Sequence, residues 1–263
     1  MQLLLAKQLA CSRMDLYLQF DRPLADDQLA PLREALRRRA DGVPLQHLLG
    51  SVEFHHREFR CDPRAMIPRP ETEELAELAL SLLPAPATAA RILDMGCGSG
   101  VLGLTLAAER PAAHATLADL SPDALALARD NAAALAITNV SFVASDLFTT
   151  VHGPFDLIVA NLPYVPERDR PSLAPELAHD PPLALFGGPD GLDLIRRFVP
   201  AAASQLAPAG TLALEIGHDQ ASHVATLLEQ SGLAHVTIHP DLSGIPRFPT
   251  ARRPPAPAPS SQQ

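Results

Sequence analysis

The chain has 263 residues, 47% of them hydrophobic and 19% charged, with a formal net charge of -9. That length accommodates one large domain and a small one, and the acidic balance argues against a protein that grips a nucleic-acid backbone over a wide basic face. Three scattered cysteines, Cys11, Cys61 and Cys97, form no C-x-x-C pair, which argues against a disulfide framework or structural zinc site and fits a reducing compartment.

The first residues, "MQLLLAKQLA", are interrupted too early by Lys7 and Gln8 for a signal peptide. No apolar run reaches the ~18–20 residues of a membrane span, so the expectation is a soluble cytoplasmic protein. Residues 1 to about 45 read as helical. Leu29, Leu32 and Leu36 fall at helical spacing. Ser12 with Asp15 forms a capping-box pattern before "LYL". Arg37, Arg38 and Arg39 suit the last turn of a helix stopped by Gly42. Met1 opens into this pattern without a cap, which predicts a shortened first helix or a missing earlier one. Residues 51–60, "SVEFHHREFR", read as a β-hairpin with His55 and His56 in a solvated turn. Pro68 and Pro70 hold the next stretch extended, and Leu75, Leu78, Ala79 and Leu82 mark a helix after it. "PAPATAA" is a linker.

From residue 91 strands and helices alternate. "RILDM", "ATLADL", "VSFVAS", "FDLIVA", "GTLALEIG", "HVTIHP" and residues 247–252 read as strands, and "VLGLTLAAE", "SPDALALARDNAAAL", "LDLIRRFVPAAASQL" and "QASHVATLLEQSG" as helices. Ser121 caps the second of these helices, with Pro122 at its first position. Such alternation predicts an α/β fold with a parallel, doubly wound sheet covered on both faces. The tail "RRPPAPAPSSQQ" has the composition of a disordered segment.

"LDMGCGSG" follows the first strand and opens a helix, where open α/β sheets bind ligands. Gly96, Gly98 and Gly100 let the backbone turn sharply and approach a ligand. Asp119 ends the second strand, where an acid commonly holds ribose hydroxyls. Asp146 ends the third, where an acid can accept from an adenine amine while Leu147 packs on the ring. Two cofactor classes compete. Dinucleotide sites use G-x-G-x-x-G with the pyrophosphate at the helix N-terminus. Here the third glycine comes one position early, and Asp94 just before the loop would repel a pyrophosphate. It suits a cationic amino-acid tail such as that of S-adenosylmethionine. Singly, each aspartate could be a cap or a loop anchor; together at successive strand ends they point to a cofactor. Cys97 reads as a small loop residue, and His218 and His223 lack metal-binding helix spacing, so no metal is assigned.

"VANLPYVP" ends the fourth strand. The side-chain oxygen of Asn161 and the backbone carbonyl of Leu162 offer two acceptors, the number needed for both hydrogens of an NH₂ group. A planar NH₂ on an amide or an adenine is a poor nucleophile. Two fixed acceptors orient it and stabilise positive charge as it attacks a methyl group. Tyr164 can stack on the flat group. Pro163 biases Leu162 to extended backbone, which aims its carbonyl. The competing interpretation is a turn that merely ends a strand.

With these motifs the chain resembles the bacterial release-factor glutamine methyltransferases, also called PrmC or HemK. The matching stretches are "PLQHLLGSVEF", "IPRPETEEL", "LDMGCGSG", "ADLSPDALALARDNA", "NLPY", "DPPLALFGGPDGL" and "EIGHDQ", and "IPRPETE" and "GGPDGL" are the specific ones. The resemblance implies a class I S-adenosylmethionine-dependent methyltransferase domain, Rossmann-like with a seven-stranded sheet, over residues 69–252. It implies an N-terminal helical, substrate-recognising domain over 1–50, a β-hairpin linker over 51–68, and a disordered tail over 253–263. It also implies methyl transfer to the side-chain amide of the glutamine in the Gly-Gly-Gln motif of peptide chain release factors, with S-adenosylhomocysteine as product. By position, Gly96, Cys97, Gly98, Ser99 and Gly100 would line the cofactor, Asp119 would hold its ribose, Leu147 would lie by the adenine and Asn161 would touch both cofactor and substrate; Asp94, Leu120 and Asp146 join the expected cofactor site. Arg69, Pro70, Glu71 and Thr72, with Asn161, Leu162, Pro163 and Tyr164, would surround the glutamine, the last four being the catalytic set. The family usually has Asn-Pro-Pro-Tyr where Leu162 stands here, and a further helix before the position of Met1. A monomer with no direct nucleic-acid contact is expected. The nearest rival is an adenine-N6 methyltransferase of RNA or DNA, since "NLPY" resembles the tetrapeptide of ribosomal-RNA adenine dimethyltransferases. The acidic charge, the helical front domain, and Asp94 where that RNA family usually carries glutamate all disfavour it. A non-catalytic binding protein is disfavoured by the intact Asn161 and Tyr164.

Overall fold

A computed structural model describes residues 1–255; the end of the proline- and serine-rich tail, 256–263, lies outside the described residues. Four helices come first: α1 (Gln2–Gln8), α2 (Arg13–Leu18), α3 (Asp26–Ala40) and α4 (Leu45–Leu49). Ser12 and Asp15 close a reciprocal capping box at the start of α2, and the Arg37–Arg39 run occupies the last turn of α3. Lys7 of α1 donates to the carbonyl of Leu48 at 3.0 Å, tying the first helix to the end of the fourth.

Strands β1 (Ser51–Phe54) and β2 (Arg57–Arg60) pair antiparallel. His55 and His56 make the two-residue turn, both at positive φ (47° and 61°), the geometry that matches hairpin twist. The solvated turn expected here is only half right. His55 is half-buried and contacts Glu77 at 2.7 Å, pinning the turn to the helix that follows. Phe54 and Phe59 meet edge-on, with ring centroids 6.0 Å apart, and anchor the hairpin in the main core.

Helix α5 (Pro70–Leu82) leads into the sheet: β3 (Arg91–Met95), α6 (Val101–Glu109), β4 (His114–Asp119), α7 (Pro122–Ala134), β5 (Val140–Ala144) and β6 (Phe155–Asn161). A short helix α8 (Pro182–Leu185), then α9 (Asp193–Gln205), β7 (Leu206–Glu215), α10 (Ala221–Gln230), β8 (Ala234–Pro240) and β9 (Pro246–Arg252) complete it. Seven strands lie in the order β5-β4-β3-β6-β7-β9-β8. Side chains alternate between the faces, as the two-residue strand repeat requires. Ile92, Leu157 and Val159 join Leu75, Leu104 and Leu125 in one core layer. Leu93, Ile158 and Ala160 join Ile195, Phe198 and Val224 in the other.

Two expectations change. The sheet is mixed rather than parallel, because β9 runs antiparallel to both β7 and β8. Only five residues separate β8 from β9, too few for the crossover that a parallel neighbour needs. In addition, Arg253, expected in the disordered tail, donates its backbone N–H to Gly210 at 2.9 Å. Strand β3 has β4 on one side and β6 on the other. The chain order reverses there, and that switch point opens the crevice that holds the site.

Candidate active site

The loop between β3 and α6 is wired to the end of β4. Gly96 and Cys97 donate their N–H groups to the carbonyl of Ala118 at 2.8 and 3.0 Å. Gly98 donates to one Asp119 carboxylate oxygen at 2.9 Å, and Ser121 donates to the other at 2.8 Å. A carboxylate has about four lone-pair sites, so Asp119 shapes the loop and keeps capacity for a ligand. Gly96 has φ +72°, and a Cβ there would stand 2.9 Å from the Leu162 side chain. Leu162 is buried against this glycine, so its side chain packs the loop while its carbonyl stays in the backbone of the β6 end.

Asp94 is buried and accepts from the Gly103 N–H at 2.8 Å. Gly103 is a site residue that the sequence reading missed: a Cβ there would come within 2.9 Å of the Asp94 side chain. Burial pushes the Asp94 carboxyl up to about 7, with the nearby Asp119 charge acting the same way against the Gly103 hydrogen bond. Asp119 is also raised, by burial first. Burial likewise pushes the Cys97 thiol well up, reinforced by Asp94 and Asp119, so it is no thiolate nucleophile.

One cavity lies above this loop. Asp94, Gly96, Cys97, Gly98, Ser99, Asp119, Leu120, Asp146 and Leu147 line it, and so do Asn161, Leu162, Pro163 and Thr72. Pro68 and the rim segment Pro181, Leu183 and Ala184 line it too. Both oxygens of Asp146 also accept from Arg197, at 3.0 and 2.9 Å, so that acid is shared with an exposed guanidinium.

Five of the expected site residues lie outside the lining. Gly100 sits behind the loop, with Ala128 and Leu104 each 3.0 Å from where its Cβ would be. Pro70 and Glu71 occupy the start of α5 without facing the cavity. Arg69 turns to the buried Asp180, which also accepts from the Ile67 N–H at 3.1 Å. That pair clasps the "IPRP" stretch to the segment forming the cavity rim. Tyr164, expected as a stacking face, donates its hydroxyl to Glu215 at 3.2 Å. The acceptor at the end of β7 draws the phenol toward the sheet, and burial together with the Glu215 charge holds its pKa above the ordinary value.

The backbone of Pro163 and Tyr164 is held by "GGPDGL". Gly187 donates its N–H to Val165 at 3.0 Å. A Cβ on Gly187 would meet the Pro163 carbonyl oxygen at 2.4 Å, and one on Gly191 the Tyr164 carbonyl oxygen at 2.1 Å. Gln220 donates its side-chain amide to that same Tyr164 oxygen at 3.0 Å. Thr72 donates to Glu215 at 2.8 Å and accepts from the Asn161 amide at 3.1 Å. Glu215, buried at the end of β7, is the second residue the sequence reading missed. Among the described residues no group of three or more His, Cys, Asp or Glu side chains could hold a metal ion, and no helix is long and apolar enough to cross a membrane.

Residues 1–50 match the PrmC N-terminal domain, and residues 71–185 match the methyltransferase small domain. The release factor glutamine methyltransferase of Deinococcus radiodurans is 44% identical over 96% of this chain and 90% of its own. That of Cereibacter sphaeroides is 42% identical over the same shares. Among solved structures, a ribosomal protein L11 methylase from Lactobacillus delbrueckii superposes with a TM-score of 0.54 at 21% identity, over 75% of this chain and 86% of its own. A methyltransferase from Pyrococcus furiosus gives 0.57 at 16% identity, over 88% and 100%; both likenesses establish the methyltransferase fold. With the cavity at the sheet's switch point, the helical front and relatives this similar over nearly their whole length, the chain belongs to the release factor glutamine methyltransferases.

Proposed function

We propose that the chain transfers a methyl group from S-adenosylmethionine to the side-chain amide nitrogen of a glutamine, the one in the Gly-Gly-Gln motif of peptide chain release factors. The observation that carries this reading is the sharing of one cavity by Asn161 and the acid-flanked glycine loop. The loop's carboxylates suit a cationic cofactor. Gly98 N–H is taken by Asp119 and Gly103 N–H by Asp94, so the start of α6 offers carboxylates where a pyrophosphate would want free N–H groups. Asp94 would face the amino-acid end, Asp119 the ribose hydroxyls, and Leu120 and Leu147 the adenine.

When bound, the cofactor supplies an electrophilic methyl group on a positively charged sulfur. The Asn161 side-chain oxygen and the Leu162 carbonyl accept the two amide hydrogens of the glutamine and point its nitrogen at that methyl. Attack by the nitrogen lone pair would take that methyl, the electrons of the broken C–S bond would return to sulfur, and S-adenosylhomocysteine would be left as product. Positive charge developing on the nitrogen is stabilised by the same two acceptors. The methylated nitrogen is acidic and loses its extra proton to water, so the site needs no strong base. Incubation of the enzyme with labelled cofactor and a release factor tests this: label is expected on the Gly-Gly-Gln glutamine. Label on RNA or DNA with none on the release factor would replace this reading with the adenine-N6 one.

A further inference from the structure

Asn161 can serve as an acceptor only if its amide is turned the right way round. A carboxamide presents oxygen on one side and NH₂ on the other, and the two orientations have nearly the same shape. Turned wrongly, Asn161 would aim N–H groups at the N–H groups of the glutamine. The tetrapeptide itself does nothing to prevent this.

We propose that Glu215 and Thr72 are positioning residues that fix the orientation of the Asn161 amide, and thereby select an NH₂-bearing substrate. This rests on the glutamine-methylation reading above. The logic is one of donors and acceptors. Each Glu215 oxygen takes a hydroxyl proton, and so acts as an acceptor toward both neighbours. Glu215 accepts the Thr72 hydroxyl at 2.8 Å on one oxygen and the Tyr164 hydroxyl at 3.2 Å on the other. The single proton of Thr72 is thereby committed to Glu215, so toward Asn161 its oxygen can only accept. It does so at 3.1 Å, which requires the NH₂ of Asn161 on that side. The Asn161 oxygen is then left on the other side, with no protein donor among the described residues, in a residue that lines the cavity. Thr72 and Glu215 are both buried, where bulk water cannot replace a lost partner and the hydrogen bonds are correspondingly strong. Tyr164 belongs to the same relay: its hydroxyl occupies the oxygen that Thr72 does not use.

The test compares Thr72→Val, Thr72→Ser and Glu215→Gln, with release-factor methylation, cofactor binding and the Asn161 side-chain amide NMR signal as readouts. Thr72→Val keeps the shape and removes the hydroxyl. It is expected to lower kcat by roughly 10–100-fold, with KM and cofactor Kd each changed by less than about threefold. Thr72→Ser is expected to restore most of that loss. Glu215→Gln is expected to lower kcat less than Thr72→Val, because the glutamine can still turn its oxygen to Thr72 and its NH₂ to the Tyr164 hydroxyl. The Asn161 amide hydrogens are expected to exchange with solvent faster in Thr72→Val than in the wild type or Thr72→Ser, with or without cofactor. Unchanged kcat in folded Thr72→Val and Glu215→Gln would overturn the inference while leaving the proposed function standing. An equal loss in Thr72→Ser would overturn it too, by assigning Thr72 a packing role. Wild-type enzyme that fails to methylate a release factor would instead sink the functional reading and this inference with it.

Discussion

Replacing Asp94 by Asn separates the cost of a buried carboxylate from its use. Asn has nearly the same shape and can still accept from the Gly103 N–H, which lies 2.8 Å from Asp94. Burial has moved the Asp94 carboxyl from an ordinary 3.8 to about 7. That gap of roughly 3 pH units corresponds to about 4 kcal/mol, at about 1.4 kcal/mol per unit. The folded-state pKa is the higher one, so the folded protein holds the proton more tightly than the unfolded chain. The stability Asp94 contributes is therefore complete below pH ~4 and is lost as pH rises through ~7. The asparagine side chain does not titrate. In urea unfolding of the cofactor-free protein, the advantage of Asp94→Asn over wild type is expected to grow by about 3 kcal/mol between pH 5 and pH 8. Cofactor binding should show the opposite preference. Wild-type affinity for the cationic cofactor rises as Asp94 ionises toward pH 8, and Asp94→Asn loses both that rise and about tenfold or more in affinity at pH 8. Parallel stability curves for the two proteins from pH 5 to pH 8 would contradict a buried, titrating Asp94, and undiminished cofactor affinity in the variant would contradict its contact with the cofactor.

Other substitutions probe the rest of the site. Asn161→Ala removes one acceptor of the pair and should lower kcat by roughly 100–1000-fold, while cofactor Kd by calorimetry stays within about tenfold; equal losses in both would make Asn161 mainly a cofactor residue. Arg69→Ala strips the buried Asp180 of its charged partner and should cost about 1–3 kcal/mol in urea unfolding. Unchanged stability would show that the clasp is not needed. Gly191→Ala places a Cβ 2.1 Å from the Tyr164 carbonyl oxygen at a residue with φ +78°. It should depress both melting temperature and turnover, and a variant with wild-type values would show that "GGPDGL" does not hold "NLPY" in place.

The elements legible in the sequence are those governed by local rules. The β3 strand, the glycine loop and the Ser121 cap with Pro122 at the start of α7 follow from periodicity and turn chemistry. What escaped depends on contacts between distant segments. Thr72 and Glu215 meet across 143 positions, and Arg69 and Asp180 across 111. No periodic signal marks either pair. The bond from the Tyr164 hydroxyl to Glu215 escaped for the same reason, since nothing near Tyr164 in the chain places that acid beside it. The reversed β9 was hidden because its apolar pattern is the same whichever way the strand runs. Two stretches that identified the family by likeness now have a physical reason. "IPRPETE" supplies Arg69 for the rim and Thr72 for Asn161, and "GGPDGL" provides the bare backbone that Pro163 and Tyr164 lie against.

Delivery of a methyl group to a glutamine amide is the function proposed for this cavity. The most direct measurement is mass spectrometry of a release factor after incubation with the enzyme and S-adenosylmethionine, alongside a release factor whose Gly-Gly-Gln glutamine is replaced by alanine. One methyl group is expected on the side-chain nitrogen of that glutamine, and none on the replaced factor. Methylation at another residue, or equal modification of both factors, would contradict it.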